Sequence, residues 1–318
     1  MTIEAGRRRS LPQLTGTGLF VTDGGLETEL IFHDGLDLPC FAAFPLLENP
    51  GTRVRLRRYY DGYLAIAREH GAGFIVETPT WRANPDWAGQ LGYSPEQLDA
   101  ANRDAVLLAE EVRLVAAADG ITAVVSGCIG PRGDGYDPGS AMTPEEAERY
   151  HAVQIDTFAT TTADQVTALT MTNVEEAIGI VRAASGAGIP SAISFTVETD
   201  GRLPTGQPLR EAIEQVDAET GARAGYFMVN CAHPTHFTDA LAADGSWLQR
   251  LVGLRANAST RSHAELDEST ELDEGDPVDL GARHAALRDR LSAVTVLGGC
   301  CGTDARHVAA IISAWSPN

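Results

Sequence analysis

The sequence predicts an α/β fold, a (β/α)8 TIM barrel, that forms a single domain over residues 1–318. Eight apolar, strand-like segments alternate with segments of helical periodicity, and no change of composition divides the chain. Polar and sulfur-bearing residues follow the first, second, sixth and eighth strands. An open doubly wound sheet is the main alternative, but only a closed barrel brings the first and last strands side by side. These observations favour the barrel.

The predicted strands are short runs rich in β-branched and aromatic residues, bounded by glycine, proline or polar residues. They are expected at residues 18–23, 73–78, 121–126, 164–170, 191–196, 226–230, 251–256 and 294–297.

The predicted helices carry apolar residues at spacings of three and four. Ser94 and Thr143 each precede a proline and a glutamate, which is typical of a helix N-terminus. The helices are expected at residues 52–70, 94–118, from 143 onward, 173–187, 208–220, 237–250, 277–291 and 304–315.

One segment breaks this alternation. Residues 259–276 are rich in acidic side chains and poor in apolar ones. We expect a solvated loop beside the mouth of the barrel, which either stays open or closes over it as a lid.

Composition excludes several classes of partner. A net charge of −20 opposes binding to nucleic acid, whose phosphates need a basic surface. No run approaches the roughly 20 apolar residues that a membrane span requires. Five cysteines, an odd number, indicate a reducing cytoplasm with metal-bound or reactive thiols instead of a disulfide framework. We therefore expect a cytoplasmic protein with small-molecule partners, and the sequence leaves homo-oligomerisation open.

The most informative stretch runs from Val294 to Asp304, where a strand leads into two glycines, the pair Cys300 and Cys301, and a third glycine. Two thiolates on one tight turn can converge on a metal, and Cys231 ends another predicted strand. Three thiolates leave one zinc position open for substrate, as catalysis requires. The alternative is that these cysteines are small buried apolar residues.

The remaining cysteines and the nearby histidines are weaker candidates for metal ligands. Cys40 and Cys128 lack the glycine context and are predicted to be structural. His233 and His236 follow Cys231 closely, but the proline between them and the helix start favour a supporting or surface position over zinc ligation.

Other strand ends offer groups that could bind substrate. Asp23 follows the first strand and is either an anchor for an ammonium group or a turn residue. Glu77 and Thr78 end the second strand, where barrel enzymes place functional groups. Trp81, Trp87 and Phe195 are either aromatic walls for a cationic methyl donor or ordinary packing residues. Glu29 is either another group of the site or a residue that caps or braces the loop after the first strand.

Taken together, six segments resemble the zinc-dependent homocysteine S-methyltransferases over nearly the whole chain. These segments are Asp23-Gly-Gly-Leu-Glu-Thr-Glu, Glu77-Thr-Pro-Thr-Trp, Gly130-Pro, Ser194-Phe-Thr-Val, Asn230-Cys and Gly298-Gly-Cys-Cys-Gly-Thr. The resemblance implies a (β/α)8 barrel in which Cys231, Cys300 and Cys301 bind one Zn²⁺. It also implies that the fourth zinc position takes the thiolate of homocysteine.

The resemblance leads to a specific functional hypothesis. We expect an enzyme that transfers a methyl group from a sulfonium donor, S-methylmethionine or S-adenosylmethionine, to homocysteine and so forms methionine. The substrate-binding residues are expected to be Asp23, Glu77, Thr78, Thr170 and Asn230.

Two departures from the family pattern shape the alternatives. Thr170 stands where the family usually has a glutamate that holds the amino group of homocysteine, which leaves another small thiol as an alternative acceptor. Arg82 stands where the betaine-using branch has a tyrosine, and its charge argues against a cationic betaine donor. A zinc and thiol binding protein without catalysis is the alternative from another functional class.

Overall fold

The computed structural model describes residues 11–16 and 18–316. Within these residues eight parallel strands close into a barrel in sequence order, and the first strand pairs with both the second and the eighth. The strands are β1 Phe20–Val21, β2 Gly73–Glu77, β3 Ala123–Ile129, β4 Gln165–Met171, β5 Ser191–Phe195, β6 Tyr226–Asn230, β7 Leu251–Ala256 and β8 Val296–Gly299. The predicted (β/α)8 barrel is confirmed.

Long helices surround the barrel and bury one face each against the strands. They are Pro50–Glu69, Pro95–Ala118, Pro144–Ala159, Val174–Ala187, Leu209–Thr220, Pro277–Leu287 and Ala305–Trp315. The helix N-terminal residues identified in the sequence form the expected caps. The side chains of Ser94 and Thr143 accept hydrogen bonds from backbone N–H groups three residues on, and both form capping boxes.

Short helical turns complete the connections. The α-helical ones are Pro12–Thr15, Leu26–Thr28, Pro85–Gln90, Pro234–Phe237 and His263–Asp267. The tighter 3-10 turns are Pro39–Phe41, Phe44–Leu47, Ala240–Ala242 and Ser246–Arg250, and Glu29–His33 forms a wider π turn.

The helix predicted at residues 237–250 is wrong. The chain there makes the short helix Pro234–Phe237 and then two 3-10 turns. Asp244, Gly245 and Ser246 interrupt the segment, because glycine costs a helix conformational entropy and aspartate and serine compete for backbone hydrogen bonds. The wall of the barrel between β6 and β7 is therefore built from turns.

The strand that leads to the cysteine pair lies two residues later than predicted. β8 covers Val296–Gly299 and so includes two glycines. A side chain at Gly298 would collide with Thr22, and one at Gly299 would collide with Thr303. These glycines let β8 pack closely against the chain after β1 and against its own turn.

The two ends of the barrel differ in how they are filled. At the amino-terminal end the turn Pro12–Thr15 covers the opening, and buried Gln13 donates a 2.9 Å hydrogen bond to Gln165 inside the barrel. At the carboxyl-terminal end a cavity remains. The predicted solvated loop at residues 259–276 lies there, but it is less exposed than expected, because it contains the helix His263–Asp267 and buries Ser259 and His263.

Across the part of the chain that the structure describes, every helix is too short or too polar to cross a lipid bilayer.

Candidate active site

A cavity of about 460 Å³ opens at the carboxyl ends of the strands. Catalytic sites of (β/α)8 barrels are built at this face, from residues that follow several different strands. The cavity wall includes every site residue predicted from the sequence: Asp23, Glu77, Thr78, Thr170, Asn230, Cys231, Cys300 and Cys301.

The aromatic residues considered for this pocket divide into two groups. Trp81 and Trp87 line the cavity. Phe195 is fully buried and stacks on Phe227 with ring centroids 6.2 Å apart, so it packs in the core instead.

The three predicted zinc ligands come together although Cys231 is 69 residues from Cys300 in the sequence. Cys231 follows β6, and Cys300 and Cys301 follow β8. The three cysteine sulfurs all lie within 4.8 Å of one another. Among the described residues, no other group of three or more His, Cys, Asp or Glu side chains could hold a metal ion. The sulfurs of Cys231 and Cys300 are in disulfide contact, with Cα atoms 5.4 Å apart.

Backbone conformation brings these sulfurs together. Cys231 has a φ of 53°, a left-handed conformation that non-glycine residues rarely adopt. On the β8 side, Gly302 has a φ of 76°. A Cβ atom at Gly25 would lie 2.6 Å from the carbonyl oxygen of Cys300, so glycine is required where the loop after β1 crosses the cysteine turn.

A neutral hydrogen-bond network supports the cysteines. The side-chain oxygen of Asn230 accepts hydrogen bonds from Ser194 Oγ at 2.6 Å and from the backbone of Thr170 at 2.8 Å. The amide group of Asn230 donates to Thr170 Oγ1 at 2.8 Å, and it also contacts the sulfur of Cys300 at 3.7 Å. Asn230 therefore holds β4, β5, β6 and the cysteine turn in register.

Thr170 itself is held in an uncommon conformation. Its φ is 62°, which is costly for a β-branched residue, and its hydroxyl lies 3.8 Å from the sulfur of Cys231. Thr170 thus contacts the sulfur cluster directly. It supplies a neutral hydroxyl at this position, in contrast to the carboxylate that the resemblance leads one to expect.

Two aromatic rings that sequence reasoning missed cover the cluster. The hydroxyl of Tyr136 points to the sulfur of Cys301 at 3.6 Å, and its ring stacks on His263 with centroids 4.1 Å apart. His263 Nε2 lies 2.7 Å from the carbonyl oxygen of Cys231. Tyr136 lies in a glycine-rich loop after β3, where no periodic pattern marks it.

The residues present fit a tetrahedral zinc site. Thiolate ligands bind Zn²⁺ at about 2.3 Å, which sets sulfur-to-sulfur distances near 3.8 Å, so the sulfurs of Cys231 and Cys300 would separate from their disulfide contact to bind one ion with Cys301. Only the reduced dithiol form of Cys231 and Cys300 can supply both ligands. Burial raises the pKa of the Cys301 thiol above its ordinary value, so this sulfur needs a nearby cation to ionise at neutral pH.

A second cluster on the cavity wall is ionic. Arg255 from β7 donates a 2.6 Å hydrogen bond to Asp23, and its other terminal nitrogen is 3.8 Å from Glu77. All three side chains are nearly inaccessible to solvent. Burial raises the pKa of Glu77 to about 7, and nearby Arg255 only partly opposes that rise. Tyr59 also donates to Asp23.

This cluster changes the interpretation of Asp23. The sequence suggested an anchor for a substrate ammonium group, whereas the structure gives the carboxylate a buried arginine as its partner. Arg255 was missed, although an arginine inside an otherwise apolar strand was a usable signal. The hydroxyl oxygen of Thr78 is also engaged, because it accepts a hydrogen bond from the backbone of Cys128 at 2.9 Å.

The remaining cysteines and histidines behave largely as the sequence suggested. His233 caps the helix Pro234–Phe237, and neither it nor His236 lines the cavity or joins the sulfur cluster. Cys40 and Cys128 line the cavity outside that cluster. Glu29 accepts a hydrogen bond from Tyr63 at 3.1 Å, which fits a bracing role.

The profile of the family described as homocysteine S-methyltransferase matches residues 20–315. The chain belongs to this family. Family membership places the protein among the methyltransferases, and it is therefore an enzyme.

Solved structures agree with the fold. The homocysteine methyltransferase MmuM from Escherichia coli in its metallated form is 21% identical, with a TM-score of 0.71 and coverage of 94% of this chain and 96% of that one. The oxidized form of the same protein is 22% identical, with a TM-score of 0.70 and the same coverage. At these identities the likeness demonstrates the fold alone. No curated protein sequence matches the chain.

Proposed function

We propose that this enzyme transfers a methyl group from a sulfonium donor, S-methylmethionine or S-adenosylmethionine, to homocysteine and so forms methionine. We further propose that Cys231, Cys300 and Cys301 hold a Zn²⁺ ion that the reaction requires. The observation that carries the proposal is the convergence of the three sulfurs within 4.8 Å in the cavity of a homocysteine S-methyltransferase family member.

The zinc ion would supply a means of keeping the acceptor sulfur ionised at neutral pH. A free thiol is only slightly ionised there, and the thiolate is the nucleophile. Three cysteine thiolates around Zn²⁺ leave a net charge of about −1, so an acceptor sulfur held there stays electron-rich.

The methyl transfer balances as a displacement at carbon. The acceptor thiolate forms a carbon to sulfur bond while the carbon to sulfur bond of the sulfonium breaks. The bonding electrons of the broken bond return to the leaving thioether, and the thiol proton has already passed to solvent. The sulfonium loses its positive charge in this step, so an anionic cavity favours binding of the donor before reaction.

The chain's own residues orient this chemistry. Asn230 and Thr170 fix the sulfurs of Cys300 and Cys231 through neutral hydrogen-bonding groups, which leave the negative charge of the thiolates uncompensated. Tyr136 lies against Cys301 on the side of the β3 loop and points its hydroxyl to that sulfur.

A second acceptor is favoured by one specific observation. Thr170 places no carboxylate beside the sulfur cluster, so a small thiol without an α-amino group is the alternative substrate. Such a thiol would use the same cysteines and the same class of donor.

The test is mass spectrometry of the reduced, zinc-loaded protein with homocysteine and S-methylmethionine that carries a labelled sulfonium methyl group. We expect one labelled methionine for each labelled methyl lost. A parallel reaction uses S-adenosylmethionine, and a panel of small thiols replaces homocysteine. Zinc-loaded protein that methylates another thiol faster than homocysteine would establish the alternative acceptor, and no labelled thioether formed from any acceptor with either donor would refute the proposal.

A further inference from the structure

The cavity contains a cation that is held in an unusual setting. The guanidinium group of Arg82 contacts two indole rings and lies 4.3 Å from the ring centroid of Trp81 and 3.9 Å from that of Trp87. Arg82 is only 6% exposed. Contact with the two rings still leaves the in-plane N–H donors of the guanidinium able to bind a ligand through hydrogen bonds.

The donors of Arg82 are incompletely used. One terminal nitrogen donates to the carbonyl oxygen of Gly133 at 2.8 Å, and the other reaches the largely exposed Asp134 at 3.5 Å. Its Nε is buried and has no acceptor among the described residues. A buried guanidinium with a spare donor favours an incoming carboxylate, which it can bind through two parallel hydrogen bonds.

The same cavity contains a carboxylate without a cationic partner. Glu27 lines the wall in the loop after β1, is half-buried, and forms no salt bridge with any described residue. Burial raises the pKa of Glu27 to about 7, and the charge of Arg82 opposes that rise. The other two acids of the inner wall, Asp23 and Glu77, already face Arg255.

Glu27 and Arg82 therefore face one space with opposite charges and without an ion pair to each other. A zwitterion that carries an ammonium group and a carboxylate on one carbon would satisfy both. A bound ammonium group would keep Glu27 ionised, and the substrate carboxylate would fill the in-plane position at Arg82.

We propose that Glu27 and Arg82 form a two-point subsite for the α-amino-acid head group of a substrate, with the ammonium group on Glu27 and the carboxylate on Arg82. This inference deepens the proposed function and rests on it for the identity of the substrates. The shared chemistry occurs in two of them, the acceptor homocysteine and an amino-acid sulfonium donor, and the experiment distinguishes the two.

The experiment crosses variants with truncated ligands. The acceptor series is L-homocysteine, 3-aminopropane-1-thiol, which lacks the carboxylate, and 4-sulfanylbutanoate, which lacks the amino group. The donor series is S-methylmethionine with the corresponding aminopropyl and carboxypropyl dimethylsulfonium ions. Calorimetry measures binding of each ligand to the reduced protein, and KM is measured wherever turnover occurs.

For the series that occupies the subsite, we expect R82Q to weaken the complete ligand about 50-fold and the carboxylate-free analogue less than about threefold. E27Q should weaken the complete ligand by a similar factor and leave the amino-free analogue unaffected. R82K keeps the charge without the planar edge and should lose less, again only for ligands that carry a carboxylate. It also serves if R82Q fails to fold.

Matched controls come from the same region. Arg132 lies over the ring of Tyr150 and pairs with Asp86 outside the cavity, so R132Q controls for loss of a stacked arginine. Glu29 is two residues from Glu27 and does not line the cavity, so E29Q controls for the loop.

The outcomes separate the two proposals. Selective losses in the acceptor series assign the subsite to homocysteine, and selective losses in the donor series assign it to the sulfonium. Losses that are equal for complete and truncated ligands, losses at only one of the two residues, or no binding to the wild type would overturn the subsite. Wild-type protein that binds these ligands selectively but methylates no thiol would refute the proposed function and leave the subsite standing.

Discussion

Two clusters of side chains line the cavity, and they differ in whether their ionisable groups have oppositely charged partners. In the sulfur cluster, Cys231, Cys300 and Cys301 are supported by neutral groups, chiefly Asn230 and Thr170. In the ionic cluster, Asp23 and Glu77 surround Arg255. After reduction and ionisation, the first cluster would offer uncompensated negative charge to a metal, whereas the second largely neutralises itself.

This difference indicates which of the two clusters gains more from binding a ligand. Buried charges are stable when they are paired, and a cluster that is already paired gains little from a ligand. Unpaired thiolates gain much from a divalent cation. The sulfur cluster should therefore control metal content and turnover, and the ionic cluster should control stability.

The largest expected effect is at the sulfur cluster. C301A removes one of the three proposed metal ligands, so we expect bound zinc to be lost and methyl transfer to fall to background. Metal analysis and the labelled-methyl assay measure the two effects. The control is C40A, which changes a cysteine of the same cavity outside the cluster and should retain zinc. Stoichiometric zinc and full turnover in C301A would contradict the assignment.

At the ionic cluster, R255M should lower the free energy of unfolding by about 3–5 kcal/mol, because it leaves two buried carboxylates without their cation. Urea denaturation measures the change. Zinc content at saturating metal should remain near the wild-type value in the folded fraction. Loss of zinc without loss of stability would reverse the proposed division between the clusters.

Titration of Glu77 should make the stability contributed by the ionic cluster depend on pH. Its pKa of about 7 in the folded protein lies above its ordinary value of 4.5, so the folded state holds the proton more tightly than the unfolded chain. The resulting stabilisation is complete below pH 4.5 and is lost as the pH rises through 7, with a total of up to about 3 kcal/mol.

The corresponding variant is E77Q, which stays neutral at every pH. Unfolding free energies at pH 5 and pH 7.5 should differ less in E77Q than in the wild type. Equal differences in the two proteins would mean that Glu77 does not titrate in this range.

Substitution of Asn230 tests the support of the sulfur cluster without removing a proposed metal ligand. N230A removes hydrogen bonds to Thr170 and Ser194 and the contact with Cys300, so we expect a fall of about 10- to 100-fold in zinc affinity or turnover. Competition with a chromophoric chelator measures the affinity. The variant S194A removes only one of these bonds and should cost less. Unchanged affinity and turnover in N230A would show that the cysteine turns hold their geometry without it.

The smallest expected effect is at Tyr136. Y136F removes the hydroxyl that points to the sulfur of Cys301 but keeps the stacking on His263. A single hydrogen bond contributes about 1 kcal/mol, so turnover should fall by less than about tenfold and zinc should be retained. Complete loss of zinc would instead make Tyr136 a required part of the metal site.

The sequence determined the barrel and the sulfur cluster. Alternating strand and helix patterns repeated along the chain, and local signals such as the caps at Ser94 and Thr143 act within a few residues. The cysteine pair between glycines and Cys231 at a strand end were also local signals, and parallel strands bring their carboxyl ends to one face. The helix predicted at residues 237–250 does not form, because the turn residues around Gly245 outweigh the apolar periodicity of the segment.

Only the tertiary structure decided how charges are paired. Asp23 and Arg255 are 232 positions apart, and nothing local indicates that one neutralises the other. The tertiary structure likewise decided that Tyr136 lies beside Cys301 and that Glu27 and Arg82 line the same cavity. Pairing depends on distances of a few ångströms between residues brought together by barrel closure, whereas sequence patterns report only the direction in which a side chain leaves its own strand or helix.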